Sequence, residues 1–381
     1  MKILIIAPYS PSGTLIPALG AAKKIALFAD AMAQAGIETG FINTANNVEV
    51  DGRLGVEKWS PASVRSRFPI FIFRPRIIGR LVQALIAPVY GLLIALVFRP
   101  DFIWVYNQGF GELMLGYFAL CGGGKLINEV EDLPRARLRG FFELKPMLDI
   151  LAGQVFGPLV YRYLFVSQSV MHHFSGRGFI GDVVPGLISS VSEGVVVNSH
   201  CVGYFGGLSA EKGVDILVSL LSNPNRKWAA SICGSGELAD QIRCSLRPDL
   251  NDQFIEGASD GEVDFYMQRC TILINPHIET RSILDGVFPF KLVEYLNTKA
   301  LIISTNMRFP AQWGAEFGLR IIPRKLARFS DELDRLTAVE TFPILEAAVY
   351  ANRRKYLERY CAVNVVAKVL SRPMPICFNV L

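Results

Sequence analysis

Short apolar runs alternate with amphipathic stretches along most of this 381-residue chain. "KILIIAP" is followed by the helical pattern "AAKKIALFADAMAQAG" and then by "IETGFIN". "DFIWVYN", "GELMLGYFAL" and "GKLINEVED" repeat the order, as do "YLFVSQ", "SVMHHFSGRG" and "DVVPG". Short apolar runs bounded by turn residues read as strands buried on both faces, and the 3.6-residue patterns between them read as crossover helices. Strand–helix–strand repetition predicts an α/β chain with a doubly wound parallel sheet.

The pattern then restarts. "HCVGYFGG" reads as a strand and "KGVDILVSLLSN" as a helix; "WAASICGSG", "QFIEGA", "TILINP" and "ALIISTN" supply further strands, separated by helical stretches. The chain therefore carries two α/β sheets in series, with a boundary in the Gly/Ser-rich stretch 186–199. Expected domains are 1–190, 191–345 and a helical C-terminal segment, 346–381. "TFPILEAAVYANRRKYLERYCAVNVVAKVLS" reads as one long helical stretch. Open α/β sheets bind ligands beyond the carboxyl ends of their strands. Attention thus falls on loops 8–14, 106–111, 129–135, 206–212, 234–237, 257–262 and 275–289.

Composition narrows the class. Hydrophobic residues make up 51% and charged residues 19%, which supports large cores and argues against disorder. Mean hydropathy is +0.33, a value that admits membrane contact. The seven cysteines are scattered, with no CxxC pair and no Cys/His cluster, so neither a disulfide framework nor a zinc site is expected. The first apolar run is too short for a secretory signal, which leads to an expected cytoplasmic location. The net charge of +5 is uneven: Lys58, Arg65, Arg67, Arg74, Arg76, Arg80 and Arg99 fall between residues 58 and 100 with no acid among them. The stretch Leu81–Phe98 is 18 residues long, at the lower limit for crossing a bilayer, and is interrupted by Gln83, Pro88 and Gly91. A buried or half-buried helix is expected there, with the basic segment 65–98 touching an anionic membrane from one side. Nothing points to nucleic acid.

Three loops could carry chemistry. "GGLSAEKG" places Gly206 and Gly207 at a strand end, where backbone can approach a bulky ligand. The helix that follows, with Lys212, suits a diphosphate. "CGSGEL", with Gly234, Ser235 and Gly236, is a second tight strand-to-helix turn. "FPFKLVEYL" carries Lys291 and Glu294 three residues apart on one face of a helix expected to begin at Phe288 or Pro289. The first of these loops has neither the GxGxxG nor the P-loop spacing.

In order and spacing, "VVPGLI", "YFGGLSAEKGVDIL", "ICGSGEL" and "FPFKLVEYLNTKALIIST" resemble the donor-side blocks of the GT-B glycosyltransferases, specifically the retaining family 4. The resemblance covers residues 183–306 well and the N-terminal half in layout. It implies two Rossmann-like domains facing each other across a cleft, with the C-terminal helix crossing back to the first. It implies a nucleotide-diphosphate-sugar donor as co-substrate, no other cofactor, no metal, and a glycan or glycolipid acceptor. Glu294 would hold the ribose hydroxyls, and Lys291 would lie near the diphosphate. His277, Asp285, Gly286 and Phe288 would fall around the donor sugar. Ser12, Gly13 and Asn107 would lie in acceptor-side loops. The chain departs from the family at Gly286, where a glutamate is usual (Asp285 is adjacent and Glu279 lies further back), and at Gly207, where arginine is frequent. A histidine often found at the end of the N-terminal strand is replaced by Glu131. The fold also hosts nucleotide-sugar epimerases, and a catalytically silent sugar-nucleotide-binding partner of a membrane enzyme is a further alternative.

The acids of "NEVEDLP" complete the reading. Glu129, Glu131 and Asp132 crowd one strand end, with no local cation before Arg135 and Arg137. Alternation sends Glu129 and Glu131 to one side. Like charges so close call for a cation or ligand to relieve them. Glu131 and Asp132 are the candidate catalytic pair, orienting the acceptor hydroxyl or the donor sugar. His172 and His173 are expected at a helix surface or core edge.

Overall fold

The computed structural model describes residues 1–9, 19–45, 55–56, 60–68, 71–72, 86, 89–107, 110–131, 150–151, 153–175, 179, 181–193, 201–278, 289–305, 314, 317–337 and 342–371. The chain forms two compact units. One comprises Met1–Ser189 with Cys361–Leu381; the other comprises Ser190–Leu284 with Pro289–Tyr360.

The N-terminal unit is built on a seven-stranded sheet of β1 (Lys2–Ala7), β2 (Glu38–Asn43), β4 (Ser66–Phe68), β6 (Phe102–Tyr106), β7 (Lys125–Val130), β8 (Val160–Phe165) and β9 (Gly181–Val183). Their order is β4-β2-β1-β6-β7-β8-β9, and every pairing is parallel. Ile3, Leu4 and Ile6 are wholly buried, as expected of a central strand covered on both faces. β3 (Gly55–Val56) and β5 (Phe71–Ile72) form a separate two-stranded antiparallel ribbon. The crossover helices are α1 (Leu19–Gln34), α2 (residues 89–98), α3 (Phe110–Ala119), α4 (described at 150–151 and 153–156) and α5 (Gln168–Ser175). Ile94 and Phe98 of α2 join Leu113 and Leu115 of α3 in one core cluster under β1 and β6.

The C-terminal unit repeats the plan with β10 (Cys201–Phe205), β11 (Ala229–Cys233), β12 (Gln253–Ile255), β13 (Ile272–Asn275), β14 (Leu301–Ser304) and β15 (Leu319–Ile321). The order is β12-β11-β10-β13-β14-β15, again all parallel. α6 (Val214–Leu221), α7 (Ala239–Ser245), α8 (Asp260–Gln268) and the helices Lys291–Leu296, Leu326–Thr337 and Phe342–Leu357 belong to this unit. The short edge strands β4 and β15 have no apolar run in the sequence. β15 exposes Arg320 and Ile321, so nothing in its pattern separates it from a loop.

In both sheets the chain reverses its winding beside the first strand, between β1 and β6 and between β10 and β13. Such switch points leave a crevice at the carboxyl ends of the two strands, the usual ligand position of open α/β sheets.

The C-terminal segment is broken where one long helical stretch was expected. A helix runs Phe342–Leu357, a 3-10 turn covers Glu358–Tyr360, and a second helix runs Ala362–Ser371. The break has a tertiary cause: Cys361 bridges to Ile188, and the Ala362 N–H donates to the Ile188 carbonyl at 2.9 Å instead of to a carbonyl one helical turn back. The last helix packs on α1 in the N-terminal unit. Arg162 holds it through the Val369 carbonyl at 2.6 Å, and Lys368 pairs with Asp182 at 2.6 Å.

Candidate functional site

At the C-terminal switch point, β10 delivers Gly206 and Gly207. Gly206 has φ +147°, a conformation open to glycine and rare for other residues. The Tyr204 hydroxyl donates to the Gly207 carbonyl at 2.8 Å and ties the loop to its own strand. A Cβ added to Gly207 would meet nothing within 4 Å, so this side of the loop faces open space.

Gly234 and Gly236 have a different reason to be glycine. A Cβ on Gly234 would lie 1.9 Å from the Gly206 carbonyl oxygen, and one on Gly236 would lie 2.4 Å from that of Leu208. The two loops are also stapled by Gly206 N–H to Cys233 O at 2.9 Å, Leu208 N–H to Ser235 O at 2.9 Å and Leu238 N–H to Leu208 O at 3.0 Å. The close approach that the "GSG" turn permits is to the neighbouring loop's backbone. Ser235 contributes its carbonyl to that staple.

The helix after Gly207 does not offer the row of free amides that the sequence suggested. A 3-10 turn, Ala210–Lys212, comes first, and Gly213 turns at φ +77° before α6 begins. The Ala210 N–H donates to Glu237 Oε1 at 3.1 Å, and the Lys212, Gly213 and Val214 amides donate to the carbonyls of Ser209 and Ala210. Positive charge at this loop therefore comes mainly from side chains.

Lys291 supplies much of it. The helix opens with a turn from Pro289, since the Leu292 N–H donates to Pro289 O at 3.0 Å, and its regular part is Lys291–Leu296. Tyr295, fully buried, pins it to β10 by accepting from the Phe205 N–H at 2.9 Å and donating to the Phe205 carbonyl at 3.1 Å. Lys291 Nζ then lies over the Tyr204 ring, 4.3 Å from its centroid, and 3.7 Å from where a Gly206 Cβ would stand. Burial, and next the Lys212 charge, pull the Lys291 ammonium down to about 7, with Glu294 opposing. Glu294 is half-buried one turn further along.

His277 is buried beyond the end of β13. Its Nδ1 lies 3.0 Å from the Ile278 carbonyl, and its own carbonyl accepts from Thr305 Oγ1 at 2.7 Å. Burial, then Lys212 and Lys291, lower its pKa to about 4 against the Ile278 bond, so the ring is neutral at neutral pH. The C-terminal unit thus gathers Gly206, Gly207, Lys212, His277, Lys291 and Glu294 at one switch point. Asp285, Gly286, Phe288 and Glu279 lie outside the described residues.

The N-terminal switch point is acidic. Asn107 closes β6 at φ +66°, a left-handed position that asparagine tolerates. Its N–H donates to Glu129 O at 2.7 Å, and its carbonyl accepts from Asn128 Nδ2 at 3.0 Å. Glu129 and Glu131 do point to the same side of β7, and the cation that joins them is Lys24 of α1, over 100 positions away in the chain. Lys24 Nζ is 2.6 Å from Glu129 Oε1, bonds Glu131 Oε1, and lies 3.4 Å from the Val184 carbonyl. Glu129 is sealed in, with Trp104 Nε1 donating to its other oxygen at 3.1 Å and Phe28 packed on that tryptophan at 4.3 Å. Glu131 keeps 18% of its side chain exposed. Burial, with Glu129 adding to it and Lys24 opposing, raises Glu131 to about 8. Burial lowers Lys24, but the two carboxylates outweigh it and hold the ammonium up at about 12.

Sequence reasoning sought this cation only nearby, at Arg135 and Arg137, which lie outside the described residues with Asp132, Ser12 and Gly13. The missed signal was a lysine on the apolar face of α1, in line with Phe28 and Met32. His172 and His173 are exposed on α5. Among the described residues no group of three or more His, Cys, Asp or Glu side chains could hold a metal ion.

No protein-family model matches the sequence, and no curated protein matches it. Solved structures match over nearly its whole length. The apo form of the lipopolysaccharide outer core galactosyltransferase WaaB superposes with a TM-score of 0.61 at 14% identity, covering 97% of this chain and 99% of that one. Anabaena Alr3699/HepE in complex with UDP and glucose gives 0.61 at 13%, covering 97% and 99%. A glycosyltransferase from Rickettsia africae gives 0.65 at 12%, covering 98% and 99%. Identities this low speak to architecture alone, and on that ground the chain has the GT-B fold, two Rossmann-like units in series.

Proposed function

We propose that this protein is a metal-independent retaining glycosyltransferase. It moves a sugar from a nucleotide-diphosphate-sugar to a hydroxyl of a glycan or glycolipid, in the synthesis of a cell-surface polysaccharide or glycoconjugate. It works in the cytoplasm, in peripheral contact with the inner face of the membrane. The observation that carries the reading is the C-terminal switch point, where a loop open at Gly207 is flanked by Lys212 and Lys291 with Glu294 one turn away. A diphosphate takes the two ammonium groups, and a carboxylate suits two ribose hydroxyls through charge-assisted bonds. UDP is the first nucleotide to test, because the Anabaena HepE structure holds it.

In this reading the sugar C1–O bond to the diphosphate breaks as a new C1–O bond forms to the acceptor on the same face. The acceptor proton passes to a donor phosphate oxygen. Lys212 and Lys291 stabilise the charge that grows on the leaving diphosphate. His277, Asp285, Gly286 and Phe288 surround the sugar. Glu131, steadied by Lys24, and Asp132 orient the acceptor hydroxyl or the donor sugar, with Ser12, Gly13 and Asn107 in the same unit's loops.

The test begins with calorimetric titration of UDP, GDP, ADP and dTDP, and of their sugars, into wild type and Glu294→Ala. Tight binding of one nucleotide, lost in the variant, is expected. Product analysis with glycan and lipid-linked acceptors should then show a new glycosidic bond that keeps the donor's anomeric configuration. Conversion of the sugar without any acceptor would turn the reading to epimerisation, and binding without turnover to a silent partner.

A further inference from the structure

We infer that the outer face of α2 and α4 is the surface through which the N-terminal unit rests on an anionic lipid bilayer. This deepens the membrane contact proposed above and does not depend on the donor chemistry.

The observation is a concentration of exposed apolar side chains. Of thirteen large hydrophobic residues exposed among the described residues, nine lie on two neighbouring elements. On and just before α2 they are Ile86, Val89, Leu92, Leu93, Leu96 and Val97, the last 78% exposed. Val89, Leu93, Leu96 and Val97 follow the i, i+4, i+7, i+8 spacing that normally marks a buried stripe. Yet α2 already has a buried side, made of Ile94, Ala95 and Phe98. The helix is apolar on both faces, and one of them faces out.

Leu151, Val155 and Leu159 form a second outward stripe at four-residue intervals along α4 and the turn after it. Both elements flank α3. A Cβ on Gly91 would lie 2.8 Å from the Leu115 carbonyl, and the Phe156 and Tyr117 rings are 4.8 Å apart. The two stripes thus belong to one helical layer. Neither 89–98 nor 150–159 contains a charged residue. Among the described residues no helix is long and apolar enough to cross a membrane, so contact from one side is the geometry available to this layer.

Charge selects the occupant. Arg99 follows α2 directly and is exposed. Phe68 meets Phe98 at 5.4 Å, which sets β4, with exposed Arg65 and Arg67, beside the same helix end. Exposed Lys125 lies close by, its Nζ 4.7 Å from the Tyr161 ring. Among the described residues none of these four is ion-paired; the acids at this end, Asp101 and Glu38, both engage Lys2. Among the described residues, a second copy docked on this face would bring only these already engaged acids to the four cations, whereas a layer of anionic headgroups meets all of them. An apolar stripe with a basic rim is the pattern of a helix lying in the bilayer interface.

The test is co-sedimentation of the full chain with phosphatidylcholine vesicles, with and without phosphatidylglycerol, at low and high salt. Wild type is expected on the anionic vesicles, partly released by salt. Leu93→Asp/Val97→Asp and Leu151→Asp/Val155→Asp should each lower the bound fraction about tenfold or more at both salt levels. Arg65→Gln/Arg67→Gln/Arg99→Gln should remove the preference for phosphatidylglycerol and the salt dependence. Unchanged nucleotide binding and circular dichroism confirm that the variants fold. Wild type that stays in solution with every vesicle overturns both the membrane contact and this surface. Wild type that binds while the helix variants bind equally well overturns the surface alone. So does a lipid-free dimer, seen by sedimentation velocity, that the same substitutions dissolve.

Discussion

The two switch points are the same piece of architecture with opposite chemistry. Each lies beside the first strand of a parallel sheet whose order reverses there, β1 with β6 and β10 with β13. In the C-terminal unit the strand ends carry glycine, two lysines and a histidine kept neutral chiefly by its burial. In the N-terminal unit they carry two carboxylates on one buried ammonium. The fold supplies the crevice, and the few side chains at the strand ends decide which charge it accepts. The C-terminal site brings two lysine side chains to one loop. The N-terminal cluster has one acid locked away, Glu129, and one still partly exposed, Glu131.

The comparison can be broken most sharply at Lys24. Lys24→Met leaves Glu129 and Glu131 around an apolar chain, and breaking a buried ion pair in this way costs about 3–5 kcal/mol. Urea unfolding of wild type and variant measures it. A loss below about 1 kcal/mol would show the cluster to be wet and Lys24 dispensable.

At the C-terminal switch point, Glu294→Ala should weaken nucleotide binding by about 2–4 kcal/mol with the unfolding midpoint unchanged. Calorimetry reads both the affinity and, by its absence of change, any exclusion of Glu294 from the site.

Glu131→Gln and Asp132→Asn should lower the transfer rate by about 10²-fold while nucleotide affinity stays level. In wild type the rate should rise with pH through about 8, as Glu131 loses its proton, and Glu131→Gln should flatten that rise. The stability effect runs the other way. A carboxyl raised from 4.5 to about 8 binds its proton more tightly in the folded chain, so its contribution falls as pH climbs between those values. Equal transfer rates in wild type and both variants would return these acids to a structural role.

The smallest effect is a slope. An anionic ligand favours protonated Lys291, so nucleotide affinity should fall as pH rises above about 7, by at most about tenfold per pH unit for one proton. Lys291→Met should weaken binding and abolish the slope. Free-protein stability moves oppositely: between about 7 and 10.5 the unfolded chain holds a proton that the folded chain has released, so this lysine's contribution rises with pH across that window. A pH-independent affinity in wild type would place the diphosphate away from Lys291.

Much of this was legible in the chain. The apolar runs marked β1, β6, β10 and β13, because a strand covered on both faces must be apolar throughout. The turn glycines and "FPFKLVEYL" marked the loops of the C-terminal switch point, because tight turns and helix starts depend on neighbours within a few residues. The edge strands β4 and β15 were invisible, since half-exposed strands need no apolar run. The break before Ala362 was hidden as well, because the pairing that causes it comes from Ile188, far back in the sequence.

The sequence by itself therefore determined the α/β alternation, the two sheets in series and the residue types at each strand end, all set by local periodicity and turn chemistry. Tertiary structure alone decided which charges meet. Lys24 joins Glu129 and Glu131 only because α1, with Phe28 on Trp104 of β6, brings its side chain to the end of β7, and Lys291 comes over Gly206 only because Tyr295 pins its helix to β10. The second face of α2 is exposed for the same kind of reason: an apolar pattern shows that a helix can be buried on every side, and only packing shows which side stays exposed.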